Sequence, residues 1–398
     1  MSQWQEREAR SYMQTGRRVP LTIVRGQGLR VWDDEDQSYL DFVGGWAVDT
    51  LGHCHPIIVK ALEEQGRTLI QTSNQFYTIP QVRLAEILVE NSCLDRVFVC
   101  NSGAEANEGS VKLARKYGKL HRDGAYEVIT ALDSFHGRTL AMVSATGQPA
   151  HQETYQPVPQ GFVNVPYNKV EAIQEATTDK TCAVMLEPVQ GEAGVIEPDD
   201  EYLHQVRRWC DEQGLLLILD EVQTGIGRLG TLFGYQQFGV EPDIMSLAKG
   251  LGGGVPIGAF LATEKASVFT PGDHGSTYGG NPLTCAVAHA VVEHVITDHV
   301  LANVRRSGHR LTVGLLDLKE QFSFINDVRG RGLLQAIQFA HEIAPDVLTA
   351  CLGQGLLVNT PRPNVLRFMP PLVVTEAEID EALEKLAVAL GEVGSQSS

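Results

Sequence analysis

The sequence predicts an α/β protein with a mostly parallel central sheet and a smaller α+β domain assembled from the two ends of the chain. Short runs rich in Val, Ile and Leu alternate with longer amphipathic stretches through the middle of the chain, as in successive βα units. The two ends have a different texture, with long helical patterns and short, partly polar strands. The length, 398 residues, exceeds what one small core needs and suits a large domain with a companion.

Within the central region, Val97–Cys100, Glu127–Ala131, Ala183–Glu187, Leu215–Asp220, Ile244–Ala248 and Gly258–Ala262 are short, aliphatic and bounded by turn residues. That is the pattern of strands buried on both faces. Ala104–Leu120 and Tyr202–Gln213 carry helical periodicity and fit right-handed crossovers between such strands. Towards the C-terminus, helices are expected at 301–321 and 376–391, with short strands near 326–338 and 355–369. The expected division is an N-terminal segment contributing to the small domain (1–52), a large domain (53–300) and a C-terminal small domain (301–398), ending in a short polar tail, Gly394–Ser398.

Composition narrows the class of function. Hydrophobic residues make up 43% and charged residues 20%, as in ordinary soluble globular chains. A net charge of −17, with no Lys/Arg-rich run to reverse it locally, argues against nucleic acid and anionic membrane surfaces as partners. Seven cysteines with no CxxC pair argue against a disulfide framework or a zinc ribbon, and for a reducing compartment. Met1 to Arg18 has neither the apolar core of a signal peptide nor a membrane span, so a cytoplasmic location is expected. His53-Cys54-His55 offers metal-type ligands without a second cluster. A packed turn before Pro56 is the expectation there, and no metal is expected.

Ligands of open parallel sheets bind beyond the carboxyl ends of the strands, so ionisable residues at those ends carry the functional argument. Leu215–Asp220 ends in an acid after five aliphatic residues. Such an acid commonly caps the next turn; it can also hold a cationic partner such as a protonated ring nitrogen. The run Asp243–Lys249 places an amine after apolar residues and before the glycine-rich Gly250–Gly254. Desolvation there would lower its pKa and make it a nucleophile, whereas a lysine leaving the sheet for solvent is the plainer alternative. Asn101–Asn107 opens a helix with Ser102, Gly103 and Ala104, whose free N–H groups suit an anion. Ser102 with Glu105 also reads as an ordinary capping box. Ser134–Thr139 offers Phe135 for stacking and Arg138 for a carboxylate, with His136 readable as a buried structural residue. Gly225–Gly230 matches GxGxxG, but Glu221–Thr224 separate it from the strand and no acid follows at the expected spacing of about 20 residues, so dinucleotide binding is not expected.

The order of these features, continued by Glu187-Pro188 and Gly275–Pro282, resembles the class III (ornithine-type) pyridoxal-phosphate (PLP) aminotransferases of fold type I. The resemblance runs from Gly26–Gly28 and Tyr39–Phe42 through Leu51–Pro56 to Arg367–Leu372. It implies a PLP-dependent transferase in which Lys249 forms the Schiff base and Asp220 partners the pyridine nitrogen. It further implies that Gln223 contacts the 3-oxygen, that Ser102, Gly103 and Ala104 bind the phosphate, and that Phe135 stacks on the ring. Thr277 matches a threonine that reaches the phosphate site of the other subunit, which implies a homodimer. Arg138 matches the residue that binds a substrate carboxylate, and Glu192 the glutamate that pairs with Arg367 and releases it when glutamate binds. Gly44–Asp49, Gln223–Arg228 and His274–Gly280 most resemble the acetylornithine-type members of arginine biosynthesis, with N-acetylornithine and 2-oxoglutarate/glutamate as substrates. Trp46 and Asp49 depart from the Ile and Asn usual there. Ornithine, succinylornithine and 4-aminobutyrate therefore stay open as donors.

Overall fold

A computed structural model describes residues 2–16 and 18–396; Met1, Arg17 and the last two serines of the polar tail lie outside them. After a helix at Gln3–Ser11, three strands, β1 (Ile23–Gln27), β2 (Arg30–Asp33) and β3 (Ser38–Asp41), form an antiparallel meander. The central sheet follows: β4 (Arg96–Cys100), β5 (Glu127–Ala131), β6 (Phe162–Val165), β7 (Thr181–Leu186), β8 (Leu216–Asp220), β9 (Ile244–Leu247) and β10 (Gly258–Ala262), in the spatial order β4-β10-β9-β8-β7-β5-β6.

Strands β6, β5, β7, β8 and β9 are mutually parallel. β10 runs antiparallel to both β9 and β4, so β4 points the same way as the parallel set. Every residue of β7, β8, β9 and β10 is buried, which is why these strands read as unbroken aliphatic runs. Helices Gly103–His121 and Tyr202–Gln213 fall where the periodicity placed them.

Some strand ends differ from expectation. β7 stops at Leu186, before Glu187, because Pro188 has no N–H to continue the ladder. β9 stops at Leu247, leaving Ala248 and Lys249 in a turn beyond it. β6 was not expected. It is an edge strand with Asn164 among its four residues, so it lacks the aliphatic run of the interior strands.

Towards the C-terminus come β11 (Ile325–Arg331), β12 (Leu334–Phe339), β13 (Leu356–Leu357), β14 (Asn359–Arg362) and β15 (Val365–Phe368), with helices Val300–Gln321 and Glu376–Gln396. Four of these strands form a separate antiparallel sheet in the order β11-β12-β15-β14. β13 instead pairs parallel with β3, Leu356 opposite Leu40, and so ties the two chain ends together. The stretch after β3 is clamped by the same C-terminal region: Met369 N–H donates to the Phe42 carbonyl at 2.7 Å and Leu372 N–H to the Thr50 carbonyl at 2.8 Å. Between those clamps, Gly44, Gly45, Trp46 and Ala47 all hold left-handed φ values of 52–63°, a conformation that L residues seldom adopt in succession. Among the described residues, no single helix is long and apolar enough to cross a membrane.

Candidate active site

A cavity of about 470 Å³ opens beyond the carboxyl ends of the parallel strands. Ser102, Gly103, Ala104, Phe135, Arg138, Glu192, Asp220, Gln223 and Lys249 all line it, so chain positions far apart in sequence converge as strand-end residues should.

At the wall after β4, Ser102 caps the helix Gly103–His121 by accepting the Glu105 N–H at 3.2 Å. The expected capping box is incomplete. Glu105 accepts from the Asn101 backbone N–H at 2.6 Å and from its side-chain amide at 2.9 Å instead of reaching back to Ser102. At Gly103 a Cβ would lie 2.9 Å from a Val222 methyl, so only glycine lets this helix start approach the loop after β8.

Asp220 ends β8 and is 3% exposed. Its Oδ2 accepts from Asn107 Nδ2 at 2.7 Å and lies 2.7 Å from His136 Nδ1, while its Oδ1 accepts the Val222 N–H at 3.0 Å. Asn107 also donates to the His136 carbonyl at 2.8 Å and accepts from Ser246 Oγ at 2.5 Å. Burial opposes protonation of His136, but the Asp220 carboxylate outweighs it and holds the imidazole pKa above its ordinary value. The Nε2 of His136 is buried with no protein partner among the described residues. Asn107, Ser246 and Glu187 were not singled out as site residues from the sequence. The signal available for Ser246 was a hydroxyl inside an otherwise apolar strand, and for Asn107 an amide on the apolar face of its helix. Glu187, just past β7, accepts the Phe135 N–H at 3.1 Å, and burial pushes its carboxyl up to about 8.

Lys249 opens a short 3-10 turn after β9 with φ 38°, a left-handed value that stores strain on the order of 1 kcal/mol at a non-glycine residue. Burial, reinforced by the Arg367 charge, lowers the Lys249 amine pKa against the pull of Glu192. Its unprotonated, nucleophilic form is thereby favoured.

Arg367 on β15 is fully buried and does not line the cavity. Glu192 and Gln223 stand between: Nη1 donates to Glu192 Oε1 at 2.8 Å and approaches Gln223 Oε1 at 3.4 Å. Burial works against the Glu192 carboxylate, yet Arg367 and Lys249 outweigh it and hold its pKa below the ordinary value. Gly191 makes this packing possible, since a Cβ there would lie 1.6 Å from Gln223 Oε1. Arg138 sits exposed at the rim with its guanidinium 5.4 Å from the centre of the Phe135 ring.

Among the described residues, Thr277, unlike Arg367, neither lines the cavity nor is hydrogen-bonded to a residue that does. It is exposed, in a loop where its carbonyl accepts from Gln71 Nε2 at 2.5 Å. Around His53, the side-chain ligand atoms of Asp41, Asp49 and His53 lie within 4.8 Å of one another, and His53 Nε2 is 2.9 Å from Asp41 Oδ2. His55 instead caps the next helix through the Ile57 N–H. The glycines of Gly225–Gly230 wrap a buried Arg228 that donates to the Leu333 carbonyl at 2.9 Å and the Pro370 carbonyl at 2.5 Å. That is a structural turn.

The model of the class-III aminotransferases matches residues 12–390. An acetylornithine aminotransferase of Caldanaerobacter subterraneus subsp. tengcongensis is 51% identical over 97% of this chain and 98% of its own, and one of Methanocaldococcus jannaschii is 47% identical over 98% of each. Among solved structures, the ornithine aminotransferase of Toxoplasma gondii ME49 superposes with a TM-score of 0.94 at 33% identity, covering 99% of this chain and 95% of its own. The N-acetylornithine aminotransferase of Stenotrophomonas maltophilia K279a gives 0.84 at 39% identity, covering 95% and 98%. The chain is therefore a PLP-dependent transferase by fold and sequence, and it belongs to the class-III aminotransferase family.

Proposed function

We propose that this chain transfers the terminal amino group of N2-acetyl-L-ornithine to 2-oxoglutarate, giving N-acetyl-L-glutamate 5-semialdehyde and L-glutamate in arginine biosynthesis. The observation that carries the reading is Arg367, buried and screened from the cavity by Glu192, in a chain about half identical to acetylornithine aminotransferases along nearly its whole length. An arginine that a carboxylate can cover or release lets one pocket accept two differently charged substrates in turn.

The residues fit PLP. The helix start at Ser102–Ala104 offers N–H groups for a phosphate, Asp220 a carboxylate for a ring nitrogen, and Lys249 an amine for an aldehyde. When bound, PLP supplies that aldehyde and a ring that accepts the electron pair freed at the reacting carbon. Around it, Phe135 offers its face, Gln223 its amide to the 3-oxygen, and Asn107, His136 and Ser246 fix the Asp220 carboxylate. Lys249 Nζ, kept nucleophilic by desolvation, is placed to take a proton from the substrate's reacting carbon and return it. Arg138 holds the carboxylate at the far end of the substrate. Acetylornithine carries no carboxylate on its reacting carbon, and Glu192 stays on Arg367. Glutamate does carry one there, and Glu192 yields to it.

The same reading takes 53–300 as the large domain, with 1–52 and 301–398 forming the small one. The protein acts as a cytoplasmic homodimer, in which Thr277, exposed on its own chain, serves the partner's phosphate site. Exposed Phe76, Tyr77 and Ile79 supply apolar surface for that pairing.

Borohydride reduction of the PLP-loaded protein followed by peptide mapping tests the cofactor assignment: the label belongs on Lys249, and a label elsewhere refutes it. Comparing kcat/KM for acetylornithine, ornithine, succinylornithine and 4-aminobutyrate tests the substrate. A clear preference for any donor but the first refutes that part alone.

A further inference from the structure

Arg367 is unevenly partnered. Its Nε donates to Asn359 Oδ1 at 3.1 Å, and its Nη1 reaches Glu192 at 2.8 Å and Gln223 at 3.4 Å. Its Nη2 is buried with no partner among the described residues. A desolvated guanidinium with an unused nitrogen is costly unless something else engages it. Asn359 is not a chance neighbour: β14 and β15 pair antiparallel with Asn359 directly opposite Arg367, so the backbone ladder itself sets the amide against the guanidinium.

We propose that Asn359 is a positioning residue for the dicarboxylate half of the reaction, holding the Nε edge of Arg367 so that the Nη1–Nη2 edge is the one presented when Glu192 withdraws. This rests on the reading of Arg367 given above. Glu192 reaches the guanidinium through one oxygen on one nitrogen. Its departure leaves Nη1 with only the longer Gln223 contact, beside the unpartnered Nη2, and these two adjacent donors make the fork that binds a carboxylate in parallel hydrogen bonds. With Asn359 removed, Nε is also left free, the side-on edge competes for the same carboxylate, and the plane is no longer fixed. The acetylornithine half of the reaction leaves Arg367 covered by Glu192 and has no need of that orientation.

The test uses the PLP-loaded protein and follows each half-reaction separately, by the absorbance change of the cofactor in single turnovers with glutamate and with acetylornithine. Asn359→Leu keeps the volume and removes the acceptor; Asn359→Ala makes the same removal if leucine is not accommodated. The expected result is a fall of about 10-fold in the glutamate half-reaction, the size of one lost hydrogen bond to a charged group. The acetylornithine half-reaction should stay within about twofold, since it does not use that bond. Calorimetric titration with glutarate, a dicarboxylate with no amine or carbonyl to react, should show binding weakened by a similar factor of about 10. Equal losses in both half-reactions would make Asn359 merely structural and overturn the proposal, as would an unchanged glutamate half-reaction. Arg367→Gln separates the two levels. If it leaves the glutamate half-reaction intact, the reading of Arg367 itself fails; if it impairs that half while Asn359→Leu does not, only the role of Asn359 fails.

Discussion

Glu187→Gln should make the protein more stable, and by an amount that depends on pH. Glu187 is 6% exposed, its carboxylate accepts the Phe135 N–H, and burial pushes that carboxyl from 4.5 to about 8, with Asp220 adding to the shift and His136 opposing it. The unfolded chain releases this proton near 4.5, whereas the native state keeps it until about 8. Stability is thus undiminished below 4.5 and lost as pH rises towards 8. Each pH unit in that window costs about 1.4 kcal/mol, so at pH 7 the native wild type is penalised by about 3 kcal/mol and at pH 5 by less than about 1 kcal/mol. Glutamine has the shape of the protonated acid, can accept the same Phe135 N–H, and carries no such penalty. Thermal melts of the cofactor-free protein between pH 5 and 8 should show the variant melting above wild type at pH 7 and the two converging at pH 5. A difference that is absent, or the same at every pH, would refute the claim that native Glu187 is protonated at neutral pH.

Two further substitutions probe the site. Asp220→Ala removes the acceptor on which Asn107, His136 and the Val222 N–H converge, and kcat/KM should fall by about 100- to 1000-fold, as for loss of a preorganised electrostatic group; a fall under about tenfold would mean that this carboxylate does not serve the reaction. Gly191→Ala places a Cβ 1.6 Å from Gln223 Oε1, which should cost about 1–3 kcal/mol by overpacking. Most of that cost should vanish when Gln223→Ala is made as well, and equal penalties in both backgrounds, measured by denaturant unfolding, would show that Gln223 is not the obstruction.

The parts of the molecule that were legible in the sequence share one physical cause. A strand covered on both faces must be apolar throughout, so β7 to β10 announce themselves, and the first ionisable residue past such a run stands at the sheet edge. Asp220 and Lys249 were found that way. β6 and the three N-terminal strands are short and carry charged or polar residues such as Arg25, Asp33 and Asn164, which half-exposed or edge positions tolerate, and so they left no clear period. Asn107 and Ser246 were missed for a different reason. Each lies inside a regular element, and only the crossing of a helix with two strands brings them to one carboxylate. Arg367 was found through family resemblance, because its burial behind Glu192 depends on a contact between β15 and a loop far away in sequence. Thr277 shows the limit of a single chain, since its proposed role lies in a site that a second copy would contribute.

The clamps between the chain ends bear on when the protein becomes able to take up its cofactor. Val48 forms part of the cavity wall, and the stretch that carries it is pinned at Phe42 and Thr50 by Met369 and Leu372, while β3 waits for β13. A ribosome delivers those partners last. The central sheet, with Lys249 and Asp220, can be complete while the wall beside it is still unpinned. Cofactor capture on the nascent chain should thus lag the folding of the sheet.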